Sequence, residues 1–396
     1  MNVSKRNLYI LTFVLFVVML GYGIIIPILP FYIENMGAGG TELGLLVSSY
    51  AVMRLICGPV WGSLSDRIGR KPVLIIGILG YAVTMAWFGL ATQLWMLFAA
   101  RILSGILSSA TAPTTMAYIS DSTPEKERGR GMGMLGAAGG IGTILGPALG
   151  GFLAGKSLST PFFFAAGMSV ISLLLAWWFL PESLPAGSRQ KPESGEGILD
   201  VRLWVQAIRS PVGILFILTF ISTCGLMIFA SVFGLYALER FSYGTREVGV
   251  MMMVLGLVSA IAQGVLTGPL TRRWGDEVVI KGGFLATALG FGLMLLADNY
   301  ITIILAIAFF GLATAIQIPT LTSLTSKRTT LPQGILMGLS NSFVSLGRIF
   351  GPLFAGYAFD MNILLPYLGG SAIMVIGFIV SAFGFRGVKV NLANAK

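Results

Sequence analysis

Between Gly62 and Leu74 the chain reads Gly-Ser-Leu-Ser-Asp-Arg-Ile-Gly-Arg-Lys-Pro-Val-Leu, which sets Asp66 among Arg67, Arg70 and Lys71 between two long apolar runs. A single Arg, Lys or Asp at the centre of a membrane helix costs about 2.5–3.5 kcal/mol on insertion scales, so this stretch is expected as a short turn at a bilayer surface. Its chemistry is ion pairing. Asp66 is expected close to the N-terminus of the next helix, where the helix dipole favours a carboxylate. Arg70 can then bridge Asp66 to Asp121, an acid at the end of a later apolar run, as a latch that is made and broken without covalent change. Gly62 and Gly69 are expected to let the turn pack closely, and Pro72 suits a first helical turn. The plainer alternative is that Arg67, Arg70 and Lys71 only anchor one side of the membrane.

A second set of residues sits inside the apolar runs. Arg54, Arg101 and Arg348 are intramembrane charges that need a carbonyl, an acid or a ligand, or must snorkel to a surface. Gln263, Gln317 and Asn341 are amides that want partners there. With Tyr22, Tyr50, Met116, Phe229, Phe233 and Tyr236 they are candidates to line a cavity, although each is individually compatible with core or lipid contact. The 18 methionines, Met251 to Met253 among them, suit an adaptable apolar pocket and equally suit ordinary packing.

Composition sets the frame for these residues. The 396 residues are 55% hydrophobic and only 11% charged, against about 25% charged in soluble proteins, which marks a polytopic membrane protein. There is no histidine, so the usual general base and metal ligand is missing, and no pair of acids converges. An enzyme is disfavoured, and no metal or cofactor is expected. Cys57 and Cys224 are too few for a disulfide framework. The net charge of +10 is spread over short loops rather than gathered on one face, which argues against a nucleic-acid partner. The run from Leu8 to Tyr32 is too long for a signal-peptide core and is expected as a first span.

Twelve apolar runs are long enough to span, at 8–32, 43–61, 73–91, 94–117, 132–154, 162–180, 211–238, 248–270, 278–296, 301–322, 334–359 and 367–385. Assigning alternate connections to opposite sides places 20 of the 26 Lys and Arg residues on the side of the N-terminus. By the positive-inside rule both termini are therefore expected in the cytoplasm. The polar stretch 181–210 is expected as a cytoplasmic linker between six-helix lobes at 1–180 and 211–396, with a surface helix over 198–208. The halves echo each other. Gly62–Lys71 has a degraded twin in Gly268–Glu277, and Gly146-Pro147 has one in Gly351-Pro352. Two matches at nearly one offset indicate a parallel duplication.

On these residues the chain resembles the major facilitator superfamily, and the likeness covers almost its whole length. Gly62–Leu74 resembles the loop between helices two and three of that family. Leu97–Ala110, with Arg101, resembles the helix-four motif of its drug exporters, and Gly139–Gly151 resembles the helix-five motif. Leu20–Pro30 resembles the helix-one motif of the twelve-helix drug–proton antiporters. The resemblance implies an all-α fold of two six-helix lobes and efflux of small amphipathic compounds in exchange for protons, by a monomer in a bacterial plasma membrane. It assigns gating to the Asp66–Arg70–Asp121 latch and proton coupling or substrate charge to Arg101, while the lack of acids inside the spans leaves Asp121, or a boundary acid such as Glu34 or Glu239, to carry any coupled proton. Gly142, Gly146, Pro147, Gly150, Gly351 and Pro352 are expected as a smooth, bent hinge face between lobes. One departure stands out. Pumps of this kind carry intramembrane acids where this chain has Val18, Thr84, Ala230, Thr287 and Ala313, so its interior is expected to be neutral to positive and to favour neutral or anionic compounds. The alternatives are an exporter or uniporter of one neutral or anionic metabolite held by the interior arginines, and a transport-inactive receptor or scaffold.

Overall fold

The computed structural model describes residues 5–184, 212–328 and 333–387, and among them there is no strand. The polypeptide forms α1 (Lys5–Glu34), α2 (Gly40–Ile68), α3 (Arg70–Leu90), α4 (Leu94–Ser122), α5 (Glu125–Ala154) and α6 (Thr160–Phe179). These are followed by α7 (Gly213–Phe241), α8 (Thr245–Trp274), α9 (Asp276–Leu296), α10 (Tyr300–Arg328), α11 (Gln333–Met361) and α12 (Leu365–Gly387). Eleven of them are long and apolar enough to cross a membrane. The expected linker and its surface helix over 198–208 lie outside the described residues.

Helix length has a period of three. The helices α3, α6, α9 and α12 have 20 to 23 residues, and the other eight have 29 or 30. The longer ones reach about 45 Å at 1.5 Å per residue, beyond the roughly 30 Å hydrocarbon layer. They therefore carry their charged ends clear of the apolar zone. The apolar runs at 43–61 and 132–154 accordingly underestimate α2 and α5, whose polar ends are also helical.

Two helices are interrupted, in each case by proline. The helix α4 breaks between Ser108 and Thr111. Pro113 lacks an N–H and its ring collides with the carbonyl four residues back, at Ser109. The carbonyl of Ile106, near the break, accepts from the Trp61 indole at 2.5 Å and from Ser109 Oγ at 2.8 Å. In α8 a π-helical turn over Ala262–Leu266 lies just ahead of Pro269, relieving the same clash at Val265.

Contacts divide the described chain into two units. One takes in Met1–Gly197 with Gly234–Met253, and the other Ile198–Phe233 with Val254–Lys396. The end of α7 and the start of α8 thus pack with the first unit. In that unit α1 lies against α5 so closely that a Cβ on Gly142 would stand 2.7 Å from the Phe16 carbonyl. One on Gly146 would stand 2.5 Å from the Leu20 carbonyl, and one on Gly150 2.9 Å from that of Ile24. The second unit repeats this device. A Cβ on Gly347 or Gly351 would meet α7 backbone at Cys224 within 3 Å.

These glycines were expected on a face between the lobes. In the structure Gly142, Gly146 and Gly150 face α1, and Gly351 faces α7, each within its own unit. Only the far side of this stretch touches the segment 234–253, where a Cβ on Gly249 would stand 2.6 Å from the Pro147 carbonyl. Small residues let helix backbones approach, and dispersion from that approach is a main force between helices in lipid. Adding a side chain at such a point is overpacking, worth roughly 1–3 kcal/mol. Gly146→Val is therefore expected to lower the melting temperature of the detergent-solubilised protein by several degrees. Gly136→Ala, with open space around its Cβ, is expected to leave it unchanged or raise it slightly.

Candidate functional site

The charged turn between α2 and α3 is tied by one guanidinium. Arg70 Nη2 lies 2.6 Å from Asp66 Oδ1, and Nε donates to Asp121 Oδ2 at 2.8 Å. Nη1 donates to Ser65 Oγ at 2.6 Å. The Arg70 side chain is 10% exposed, against 35% for Asp66 and 26% for Asp121. Three helices, α2, α3 and α4, meet in that fork, as the fixed geometry of guanidinium allows.

The carboxylate at the N-terminus of α3 is not Asp66, which closes α2 from its last turn. It is Glu182, just after α6. Its oxygens accept from the backbone N–H groups of Arg70 at 2.8 Å and Lys71 at 3.1 Å, and from those of Ser183 and Leu184. Gly69 makes this possible, because its φ is +110° and a Cβ there would run into the Glu182 carboxylate. Gly62 has no such role, since a Cβ on it would meet nothing within 4 Å. Lys71 caps the C-terminal end of α6, with Nζ donating to the Trp177 carbonyl at 2.8 Å beside Arg6 on the Phe179 carbonyl. Arg67 is exposed and joins no ion pair within 4.0 Å among the described residues. The signal for Glu182 was present as an acid right after an apolar run, but nothing local to it indicated which helix it would cap.

The second unit holds the twin with its charges reversed. At an offset of 206 positions, Asp66, Arg70 and Asp121 become Arg272, Asp276 and Lys327. Lys327 Nζ pairs with Asp276 Oδ2 at 2.6 Å, and Arg328 pairs with Glu277. Gly275, the twin of Gly69, keeps a positive φ of 79°. The reversal changes how each pair sits in its helix dipoles. Asp276 and Glu277 occupy the first turn of α9, and Lys327 and Arg328 the last turn of α10, where each sign is favoured by about 0.3–1 kcal/mol. Arg70 opens α3 and Asp121 closes α4, so both sit at the disfavoured end.

Inside the first unit Tyr22, Tyr50 and Arg54 share a small recess with Val18, Met19, Tyr81, Ser108 and Ala112. The Tyr22 and Tyr50 ring centroids are 6.1 Å apart. Arg101 is buried beside it, its guanidinium 5.5 Å from the Tyr50 ring and 5.6 Å from that of Phe88, within cation–π range. Tyr81 was missed from sequence, although a tyrosine deep in a span always poses the question of its hydroxyl's partner.

The remaining cavity candidates scatter. Phe229, Phe233 and Tyr236 are fully buried, with Phe229 packed 4.9 Å from both Phe233 and Phe310 between ring centroids. They are core side chains. Gln317 is buried and accepts from Ser222 Oγ at 2.9 Å. Gln263, in the π turn, and Asn341 are exposed, so neither is the buried amide that was expected. Met116 is 48% exposed, and Arg348 is partly buried on α11. Acids behave as expected. Those with described side chains lie at helix ends or in turns, while Thr84 and Thr287 bond the carbonyls one turn back, of Gly80 and Gly283.

Glu182→Gln keeps the shape of the cap but removes its charge. A loss of about 1–2 kcal/mol is expected in thermal unfolding of the purified protein, whereas Arg67→Gln is expected to change stability by less than about 0.5 kcal/mol. Equal melting of the two variants contradicts the assignment.

Comparison with known proteins agrees with the all-helical fold. The profile of the Major Facilitator Superfamily matches residues 11–352 and 215–394. The chain is 32% identical over 380 residues to Multidrug resistance protein 2 of Bacillus subtilis (strain 168), covering 95% of this chain and 94% of that one. It is 27% identical over 378 residues to Quinolone resistance protein NorA of Staphylococcus aureus (strain COL), covering 95% and 96%. Among solved structures, the nucleoside transporter NupG superposes with a TM-score of 0.77 at 15% identity, over 97% of this chain and 99% of that one, a likeness of fold alone. The chain belongs to the major facilitator superfamily and is a membrane transporter, not an enzyme.

Proposed function

We propose that the protein exports small amphipathic compounds by alternating access, in exchange for protons, with both termini in the cytoplasm. The observation that carries this reading is likeness over nearly the full length to bacterial proteins named for multidrug and quinolone resistance. The crowding of bases at alternate connections supports the orientation. In that orientation the Asp66–Arg70–Asp121 cluster lies on the cytoplasmic face and serves as a gate.

The electrostatics favour the first unit as the moving half of that gate. Its ion pairs sit against their helix dipoles and the twin pairs sit with them. The first cluster is thus the cheaper of the two to open, and the second serves as a standing tie. Proton entry is assigned to Asp121 or to an acid at a helix end, Glu34 or Glu239, because none is at hand within the spans that are described. The protein is expected to work as a monomer.

Expression in a pump-deficient bacterium is expected to lower accumulation of at least one compound in a panel of cationic, neutral and anionic amphiphiles. A protonophore is expected to restore it. No change across the panel removes the efflux reading, and export that survives the protonophore removes proton exchange. Asp66→Asn is expected to slow turnover about tenfold, the effect of roughly 1.4 kcal/mol on a rate-limiting barrier, with binding altered less than about twofold. An equal loss of binding excludes a gating role.

A further inference from the structure

We propose that the recess between α1, α2, α3 and α4 is an anion subsite, built to hold the carboxylate head of an amphiphilic substrate on Arg54 and the tyrosine hydroxyls. This deepens the export reading and rests on it for the word substrate, but the site itself stands on geometry.

Its lining brings together one guanidinium, three phenols and one serine hydroxyl with no acid among them. Arg54 and Arg101 form no ion pair within 4.0 Å among the described residues. Arg101 is 5% exposed, and its Nε has no hydrogen-bond partner. Tyr81 is 2% exposed and lines the recess, yet its hydroxyl is likewise unpartnered. Two positive groups and an idle donor in a low-dielectric wall leave a field that an incoming anion would satisfy and an incoming cation would oppose. The Arg101 guanidinium faces two aromatic rings, which moderate its charge without neutralising it.

Size narrows the ligand. The recess is small, so it suits a polar headgroup rather than a whole amphiphile. The apolar body must therefore lie outside the polar part of the recess, whose lining also includes the apolar side chains of Val18, Met19 and Ala112. A permanent cation, the usual load where spans carry acids, finds no counter-charge in this recess.

The test uses three probes with one apolar body, namely 2-naphthoate, 2-naphthamide and 2-naphthylmethylammonium. Their binding to the full-length protein in phosphatidylcholine nanodiscs is measured by calorimetry, with empty discs subtracted. Naphthoate is expected to bind at least about tenfold more tightly than the ammonium, the equivalent of one charge-assisted hydrogen bond. Arg54→Gln is expected to weaken naphthoate about tenfold and naphthamide less than about twofold, and Arg54→Lys to restore part of the difference, because the charge rather than the shape is the determinant. Tyr81→Phe, which removes only the hydroxyl, is expected to weaken naphthoate about threefold with an unchanged melting temperature. The subsite is overturned if no probe binds the wild type, if the ammonium binds as well as naphthoate, or if Arg54→Gln treats naphthoate and naphthamide alike. Export is scored separately in vesicles. Selective naphthoate binding without export leaves the subsite standing and removes the transport reading of this ligand, while export without charge preference does the reverse.

Discussion

The fork at Arg70 is the interaction on which the first unit depends. One guanidinium holds carboxylates from α2 and α4 while its own backbone N–H is held by Glu182 from beyond α6. Four parts of the chain therefore converge on a single residue that is 8% exposed. Such a pair is costly to break because its charges are already partly withdrawn from water. Yet it is set against the dipoles of the three helices that carry it, and only Glu182 offsets this, at α3. The cluster is stable and poised at once, as the proposed gating role requires.

The twin cluster shows what duplication kept and what it let go. The glycine with positive φ at the helix junction is retained as Gly69 and Gly275, because without it the chain cannot turn between two helices so sharply. The signs of the charges are not retained. An ion pair tolerates inversion if both partners change together, and here the inverted copy is the one that agrees with its dipoles. The same backbone architecture thus holds one frustrated and one relaxed pair. In the proposed cycle the two halves need not contribute equally to closing the cytoplasmic side.

Glycine faces explain why these helices can be so poor in polar contacts. Where α1 meets α5 and α7 meets α11, backbone lies directly on backbone. Attraction there comes from dispersion at short range rather than from side-chain hydrogen bonds. The hydroxyls within the spans mostly turn back onto their own helix, as Thr84, Thr115, Thr287 and Thr320 do. What remains unsatisfied stands out against that background. Tyr81 and Arg101 are buried side chains with idle atoms, as are Asn7, Trp87, Thr111, Thr114 and Ser183 of the same unit, and Tyr81 lines the recess that Arg101 adjoins.

The number of helices, the placement of the described acids at helix ends and the family were all legible in the chain itself. Each follows from transfer energies and spacings that belong to short stretches of sequence, whatever they pack against. The Arg70 bridge was legible for the same reason, since its three residues sit at ends that the span count brings to one side. Tertiary structure decided the rest. It moved the helix cap from Asp66 to Glu182, 112 positions from the N–H it holds, and turned Gly142, Gly146 and Gly150 toward α1. It buried Phe229 and Phe233 in packing, left Gln263 and Asn341 exposed, and gathered Tyr22, Tyr50, Arg54 and Tyr81 around one recess. Those outcomes depend on the rotation of each helix about its own axis. Rotation is set by the sum of contacts with several neighbours at once, and no local pattern in a chain that is apolar nearly all round its helices encodes it.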